Sequence, residues 1–257
     1  MSVFLPVALK AVKQGGDIIK KSFGRATNIS LKDNLGRDFV TDCDKKTEKT
    51  ILNIIQKKFP NHNILAEESG NKKTNNNYRW ILDPLDGTTN LIKGFPYLSI
   101  SLALEKNNEL ILGIVYNPLT NKLYWAEKDL GAKLNNKKIT VSKINKLDKS
   151  FVAINWTRSN KAIKNTAGQF KKFLPKVQKM RVFGSVALTL AEIAEGKFDA
   201  MIINEANWWD IAAGCLLIKE AGGQVTDNKK IPLENNSKPL VIASNKKLHN
   251  AIIRIIK

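Results

Sequence analysis

Asp83 and Asp86 stand three positions apart in the stretch Trp80-Ile81-Leu82-Asp83-Pro84-Leu85-Asp86-Gly87-Thr88-Thr89-Asn90. The stretch opens as a short apolar run, which predicts a buried strand bounded by turn signals. Asp-Pro and Asp-Gly are turn dipeptides and predict that the strand breaks there, with both carboxylates on one tight turn aimed at the same space. Beyond them, Gly87, Thr88, Thr89 and Asn90 supply backbone N–H groups and two hydroxyls. Carboxylates that collect a hard cation, followed by donors that hold an anion, are the parts of a metal-assisted phosphate site.

Three further acidic positions are candidates for the same site: Asp44, Glu67 (with Glu68 beside it) and Asp210 in Trp209-Asp210-Ile211-Ala212-Ala213-Gly214. Each alone has an ordinary explanation. Asp44 and Asp210 read as helix caps, Glu67 as a surface residue, and Asp86-Gly87 as a turn. Together they fall just past strands or at the starts of helices, where sites in open α/β sheets are assembled. A calcium loop is excluded because the twelfth position counted from Asp83 is Gly94, where that loop requires Glu. The chain has no Walker A loop, no zinc-type histidine pattern and no Ser/His/Asp set. Its only histidines, His62 and His249, lie in polar local sequence, so histidine catalysis is not expected. Cys43 and Cys215 lack metal-ligand spacing and read as small buried hydrophobes of a reducing, cytoplasmic compartment.

The elements that must position these residues follow from periodicity and breakers. Helices are predicted over residues 2–23, 44–59 (stopped by Pro60), 162–173, 185–194 and 210–221, with a last one from Lys247. A polar segment, 28–37, reads as a loop or hairpin, and 72–77 as a polar loop. Strands are predicted over 64–66, 80–82, 97–105, 110–116, 122–126, 132–134, 151–155, 179–182, 198–203, 224–226 and 240–244. The first half is an antiparallel run and the second alternates strand with helix. The fold class expected is α/β (α+β), a layered αβαβα sandwich, as one domain with lobes at about 1–145 and 146–257.

With 257 residues, 43% of them hydrophobic, the chain can bury a large core. No apolar run reaches membrane-spanning length, and no signal-peptide pattern is present. The net charge of +19 admits an anionic partner such as nucleic acid. The lysines are scattered in short clusters, however, without a zinc finger, an aromatic RNA-binding motif or a long basic arm. A solvated basic surface is the simpler expectation.

At this point the residues resemble a known family. Asp38-Phe39-Val40-Thr41 leading to Asp44, Ala66-Glu67-Glu68-Ser69, the stretch Trp80–Asn90, Arg181-Val182-Phe183-Gly184-Ser185-Val186-Ala187 and Trp209–Gly214 are similar, in order and spacing, to the motifs of the inositol monophosphatase superfamily. These are Mg²⁺-dependent, lithium-sensitive phosphomonoesterases. The resemblance implies a first Mg²⁺ held by Glu67, Asp83 and the carbonyl of Leu85. It implies a second, bridged by Asp83 and held by Asp86 and Asp210, with a third ion near Lys32 an open question. Thr88, hydrogen-bonded to Asp44, would orient the attacking water together with Glu67. Substrate contacts are expected from Glu67, Leu85, Asp86, Gly87, Thr88, Gly184, Ser185, Val186 and Asp210.

The substrate expected is a small phosphorylated polyol or sugar, first of all an inositol monophosphate, and the resemblance also implies a homodimer. One departure bears on specificity: many inositol monophosphatases place a Glu seven residues before the final aspartate, and here that position is Ile203. An apolar residue cannot accept hydrogen bonds from ring hydroxyls, so inositol recognition is weakened unless Asn204 or Glu205 reaches in. Fructose 1,6-bisphosphate, or a broad range of sugar and nucleotide phosphates, is the alternative substrate reading. A non-enzymatic role with RNA or the transcription machinery is the alternative of a different class.

Overall fold

The computed structural model describes residues 2–31, 39–157, 159–231, 233 and 240–256. In chain order the elements are α1 (Phe4–Ser22), β1 (Ser30–Leu31), β2 (Phe39–Val40), α2 (Asp42–Lys58), β3 (Asn63–Ala66), β4 (Gly70–Lys72), β5 (Tyr78–Asp86), α3 (Thr88–Lys93), β6 (Ser99–Lys106), β7 (Glu109–Asn117), β8 (Lys122–Glu127), β9 (Ala132–Leu134) and β10 (Lys137–Lys138). They continue with β11 (Phe151–Trp156), α4 (Asn160–Phe173), β12 (Lys179–Arg181), α5 (Val186–Ala194), β13 (Ala200–Asn204), α6 (Trp208–Glu220), β14 (Gly223–Thr226), β15 (Leu240–Asn245) and α7 (Lys246–Ile256).

Side chains that alternate along each strand explain how these elements stack, since successive Cβ atoms point to opposite faces. On β5, Trp80 and Leu82 enter the core beneath α1 and α2, while Ile81 enters the core shared with α5 and α6. On β7, Ile114 and Tyr116 go to the first face and Val115 to the second. On β13, Met201 and Ile203 face α5 and α6, and Ala200 and Ile202 face the outer core with α4 and α7. An eight-stranded sheet, β10-β9-β8-β7-β6-β5-β3-β4, and a five-stranded sheet, β12-β11-β13-β15-β14, are therefore both covered on two faces. The layers are α1/α2, large sheet, α5/α6, small sheet, α4/α7: the αβαβα sandwich expected. Although α5 and α6 follow residue 145, they pack against both sheets and join the halves.

The large sheet is mixed, because β3 runs parallel to β5 while β5 through β10 are antiparallel. Three sequence expectations change. The strand from Trp80 does not stop at Asp83. It runs to Asp86 through a register shift between Asp83 and Asp86 opposite β6, and a bulge is where a strand tolerates proline. The start of the polar segment 72–77 is strand, since β4 pairs with β3 from Gly70 to Lys72. His62 is packed among aromatic rings, and His249, although its ring nitrogens meet hydroxyls, is buried. His62 stacks on Phe59 and Tyr78 and accepts a hydrogen bond from Trp80 Nε1 at 3.1 Å, and His249 is buried between Thr226 and Ser244. Of the segment 28–37, expected as a loop or hairpin, Ser30 and Leu31 form β1, which pairs antiparallel with β2; Lys32 and the residues after it in the segment lie outside the described residues.

The seam between the large sheet and α6 is close. A Cβ on Gly113 of β7 would stand 2.8 Å from the Ala213 carbonyl oxygen and 3.2 Å from its Cα, backbone atoms that cannot rotate away. Gly113→Ala is expected to lower the unfolding free energy by about 2 kcal/mol, the usual scale of overpacking, read from the urea midpoint. A change under about 0.5 kcal/mol, typical of surface sites, would contradict this packing of α6.

Candidate active site

A cleft of about 150 Å³ opens where β3, β5 and the first turns of α3 and α6 meet. Glu67, Asp83, Leu85, Asp86, Gly87, Thr88, Thr89, Gly184 and Asp210 line it. Four of these nine residues carry carboxylates and none carries a cationic side chain. Glu67, Asp83, Leu85, Asp86 and Asp210, the positions that the resemblance implies for two ions, are thus brought to one cleft from segments as distant as 67 and 210. Its size suits ions and a phosphoryl group; whole-ligand pockets run to roughly 300–1,000 Å³.

Each carboxylate is held by a specific local device. The bulge at the end of β5 lets Asp83 Oδ1 accept from the Leu85 N–H at 2.9 Å, while the Leu85 side chain is buried and its residue still lines the cleft. Asp86 Oδ1 accepts from the Val186 N–H at 3.0 Å, and Oδ2 from the Ala187 N–H at 2.7 Å and from the Ser185 hydroxyl. These donors form the N-terminal turn of α5, so a carboxylate from the large sheet stabilises a helix start in the middle layer. Asp210 is the third residue of α6, and its Oδ2 caps the helix by accepting from the Asn207 N–H at 2.9 Å.

Asp44 has the corresponding position in α2. Its Oδ2 accepts from the Thr41 N–H at 2.8 Å and from the Thr41 hydroxyl, closing a capping box. Its Oδ1 accepts from the Thr88 hydroxyl at 2.8 Å. The capping and functional readings of Asp44 are therefore both realised, on different oxygens of one carboxylate that is fully buried. The Leu85 carbonyl is a second acceptor for the Thr88 hydroxyl, at the longer distance of 3.3 Å; when the proton goes to the nearer Asp44, the Thr88 oxygen is left able to accept from a water.

Gly87 precedes α3 with φ +109°, in the left-handed region, and a Cβ there would come within 3.2 Å of Leu98 Cβ and the Tyr97 carbonyl. Only glycine fits without strain. It turns the chain so that the first-turn amides of α3, which have no intrahelical acceptor, lie along the cleft wall.

Two expected substrate contacts stand elsewhere. Ser185 and Val186 do not line the cleft; both are buried, and their donors are directed at Asp86. Gly184 does line it. Sequence reading overlooked Asn90 as a structural tie: its Nδ2 donates to the Tyr97 carbonyl at 2.6 Å and the Phe183 carbonyl at 2.8 Å, pinning the loop before Gly184 to α3. An amide directly after that turn signals a polar role, but nothing in the residue type marks these two carbonyls as its partners. Near the specificity position, Ile203 is core, Asn204 bonds Thr166 and Gln169 within the small-sheet side, and Glu205 accepts from Thr157 at 2.8 Å and Ser159 at 2.9 Å.

Electrostatics give the cleft its demand for a cation. Burial and then the charges of Glu67, Asp86 and Asp210 raise the Asp83 carboxyl well above the usual carboxylate range. Burial, followed by Glu67 and Asp86, pushes Asp210 up to about 8. Burial also raises Asp86, opposed by its hydrogen bonds to Ser185 and the α5 amides. Among the described residues, no three side chains are already drawn onto one point as metal ligands. The oxygens instead surround the cleft, a donor set of carboxylates and a carbonyl that fits a hard ion such as Mg²⁺.

Raised carboxyls favour the protonated fold, so the metal-free protein gains stability from Asp210 at low pH and loses it as pH rises towards about 8. A cation requires the ionised form. The increase in Tm on replacing EDTA with Mg²⁺ is therefore expected to grow between about pH 6 and 8.5. An increase that is independent of pH would contradict this account of the cleft.

The inositol monophosphatase family model matches residues 1–257. The chain is 39% identical over 255 residues, covering 99% of it and 95% of the relative, to a fructose-1,6-bisphosphatase/inositol-1-monophosphatase of Aquifex aeolicus. It is 35% identical over 256 residues, covering 97% of it and 99% of the relative, to an inositol-1-monophosphatase of Caulobacter vibrioides. Among solved structures, an inositol monophosphatase of Thermotoga maritima aligns with a TM-score of 0.91 at 32% identity, covering 99% of this chain and 97% of that one.

Proposed function

The chain belongs to the inositol monophosphatase family, a family of phosphatases that is generally metal-dependent, and from that premise we propose that it is a Mg²⁺-dependent phosphomonoesterase acting on a small polyol or sugar phosphate. The observation that carries this reading is the single cleft in which Glu67, Asp83, Asp86 and Asp210 meet the first turn of α3, with the Thr88 hydroxyl fixed by Asp44. Bound there, Mg²⁺ would neutralise the phosphate, acidify the attacking water and stabilise the leaving alkoxide.

Glu67, Asp83 and the Leu85 carbonyl would hold one ion, and Asp83, Asp86 and Asp210 a second. The amides at Gly87 and Thr88 would hold phosphate oxygens, as helix starts do. Thr88 and Glu67 would accept hydrogen bonds from the water and aim its oxygen at phosphorus. With water as the nucleophile, no covalent intermediate with the protein is required.

An inositol monophosphate is the first candidate substrate. Ile203 is apolar and 1% exposed, so no acidic side chain is offered to ring hydroxyls from that position; this weakens the inositol reading and leaves fructose 1,6-bisphosphate as a second candidate. The relative from Aquifex aeolicus carries both activities in its name. A phosphate-release screen over inositol phosphates, glycerol 2-phosphate, fructose 1,6-bisphosphate and nucleotides, with and without Mg²⁺ and Li⁺, separates the candidates. Release is expected only with Mg²⁺ and is expected to fall with Li⁺; Mg²⁺-independent release would refute the mechanism.

Asp83→Asn is expected to remove turnover while leaving the circular dichroism spectrum unchanged, because it deletes the charge shared by both ions. Wild-type rates in that variant would exclude the two-ion reading. Thr88→Ala is expected to slow hydrolysis by about 10²-fold, the low end for a group that handles the nucleophile's proton. Mg²⁺ affinity in Thr88→Ala should change little, and unaltered turnover would take Thr88 out of the reaction.

A further inference from the structure

The wall of the cleft that carries Glu67 is a short polar turn. It joins β3 to β4, and all three residues of β4 are exposed, so the hairpin anchors no β4 side chain in the core. What ties it inward is polar. The Glu67 N–H donates to the Leu82 carbonyl at 3.1 Å. The next two amides converge on one side chain of α2: Glu68 N–H donates to Glu48 Oε2 at 2.9 Å and Ser69 N–H to Glu48 Oε1 at 2.8 Å.

Glu48 is 4% exposed. Both its oxygens are engaged by consecutive amides, in the charge-assisted form that is roughly twice as strong as a neutral hydrogen bond. It also stands four residues after Asp44, on the same face of α2 and about 6 Å further along the axis. Asp44 holds Thr88 on one side of the cleft, and Glu48 holds the Glu67 turn on the other. One helix turn therefore spans the separation between the two groups that must act on the same water.

We propose that Glu48 is a positioning residue for the cation site: by clamping the amides of Glu68 and Ser69 it sets where the Glu67 carboxylate stands relative to Asp83. This rests on the metal-assisted reading of the cleft. Glu48 itself does not line the cleft.

The test is calorimetric titration of Mg²⁺ into wild type, Glu48→Gln and Glu48→Asp, with thermal melts in EDTA alongside. Gln is isosteric and keeps one acceptor for the two amides; Asp keeps the charge but draws it back by a methylene. Both variants are expected to bind Mg²⁺ about tenfold more weakly, the lower end for loss of a residue that orients a ligand. Their melts in EDTA should stay cooperative, and phosphate release at saturating Mg²⁺ should recover most of the wild-type rate. Mg²⁺ affinity within about twofold of wild type in both folded variants would overturn the proposal, reducing Glu48 to a stabiliser of the hairpin. A wild-type protein that binds Mg²⁺ yet releases no phosphate would refute the proposed activity and leave the Glu48 comparison standing. Wild-type protein that binds no Mg²⁺ would overturn both.

Discussion

Like charges do not gather in a partly buried cleft unless the chain forces them to. Glu67, Asp83, Asp86 and Asp210 line a space of about 150 Å³, and their mutual repulsion adds to the desolvation that burial imposes. The cleft is therefore poorly satisfied by protein alone. A divalent cation relieves the repulsion, and a phosphate ester placed against cations becomes electrophilic. Much of the architecture is explained as a way of holding these groups still in spite of that repulsion.

Helix starts do most of the holding. Asp44 and Asp210 each sit at the third position of a helix and spend one oxygen on the cap, leaving the other for Thr88 or for the cleft. Asp86 reaches across from the large sheet to the first turn of α5. Positive helix ends lower the cost of each anion, by a few tenths to about 1 kcal/mol in exposed settings. The same bonds join the layers, because the Asp86 clasp and the Gly113–Ala213 contact fix the middle helices to the large sheet. The chemistry and the sandwich are stabilised by shared interactions.

Most of this was legible in the sequence, for physical reasons. Strand alternation and breakers located every α-helix but the short α3, and nearly all the longer strands, and the acidic residues stood at element ends. What escaped was of three kinds. Proline after Asp83 argued for a break, yet a bulge accommodates it within β5. Ser185 and Val186 were expected as substrate contacts only through the family resemblance, and three-dimensional placement shows their donors directed at Asp86. Glu48 and Asn90 carry no local signal of their tertiary partners, because hydrogen bonds to amides and carbonyls of other segments leave no mark on residue type. His62 and His249 looked solvated by their neighbours in sequence and are packed by residues distant from them.

The most direct measurement is the position of the ion itself, by anomalous diffraction from crystals grown with Mn²⁺ in place of Mg²⁺. The account predicts peaks within the cleft, coordinated by Glu67, Asp83 and the Leu85 carbonyl, and by Asp83, Asp86 and Asp210. Crystals saturated with Mn²⁺ that show no peak among these carboxylates would contradict it.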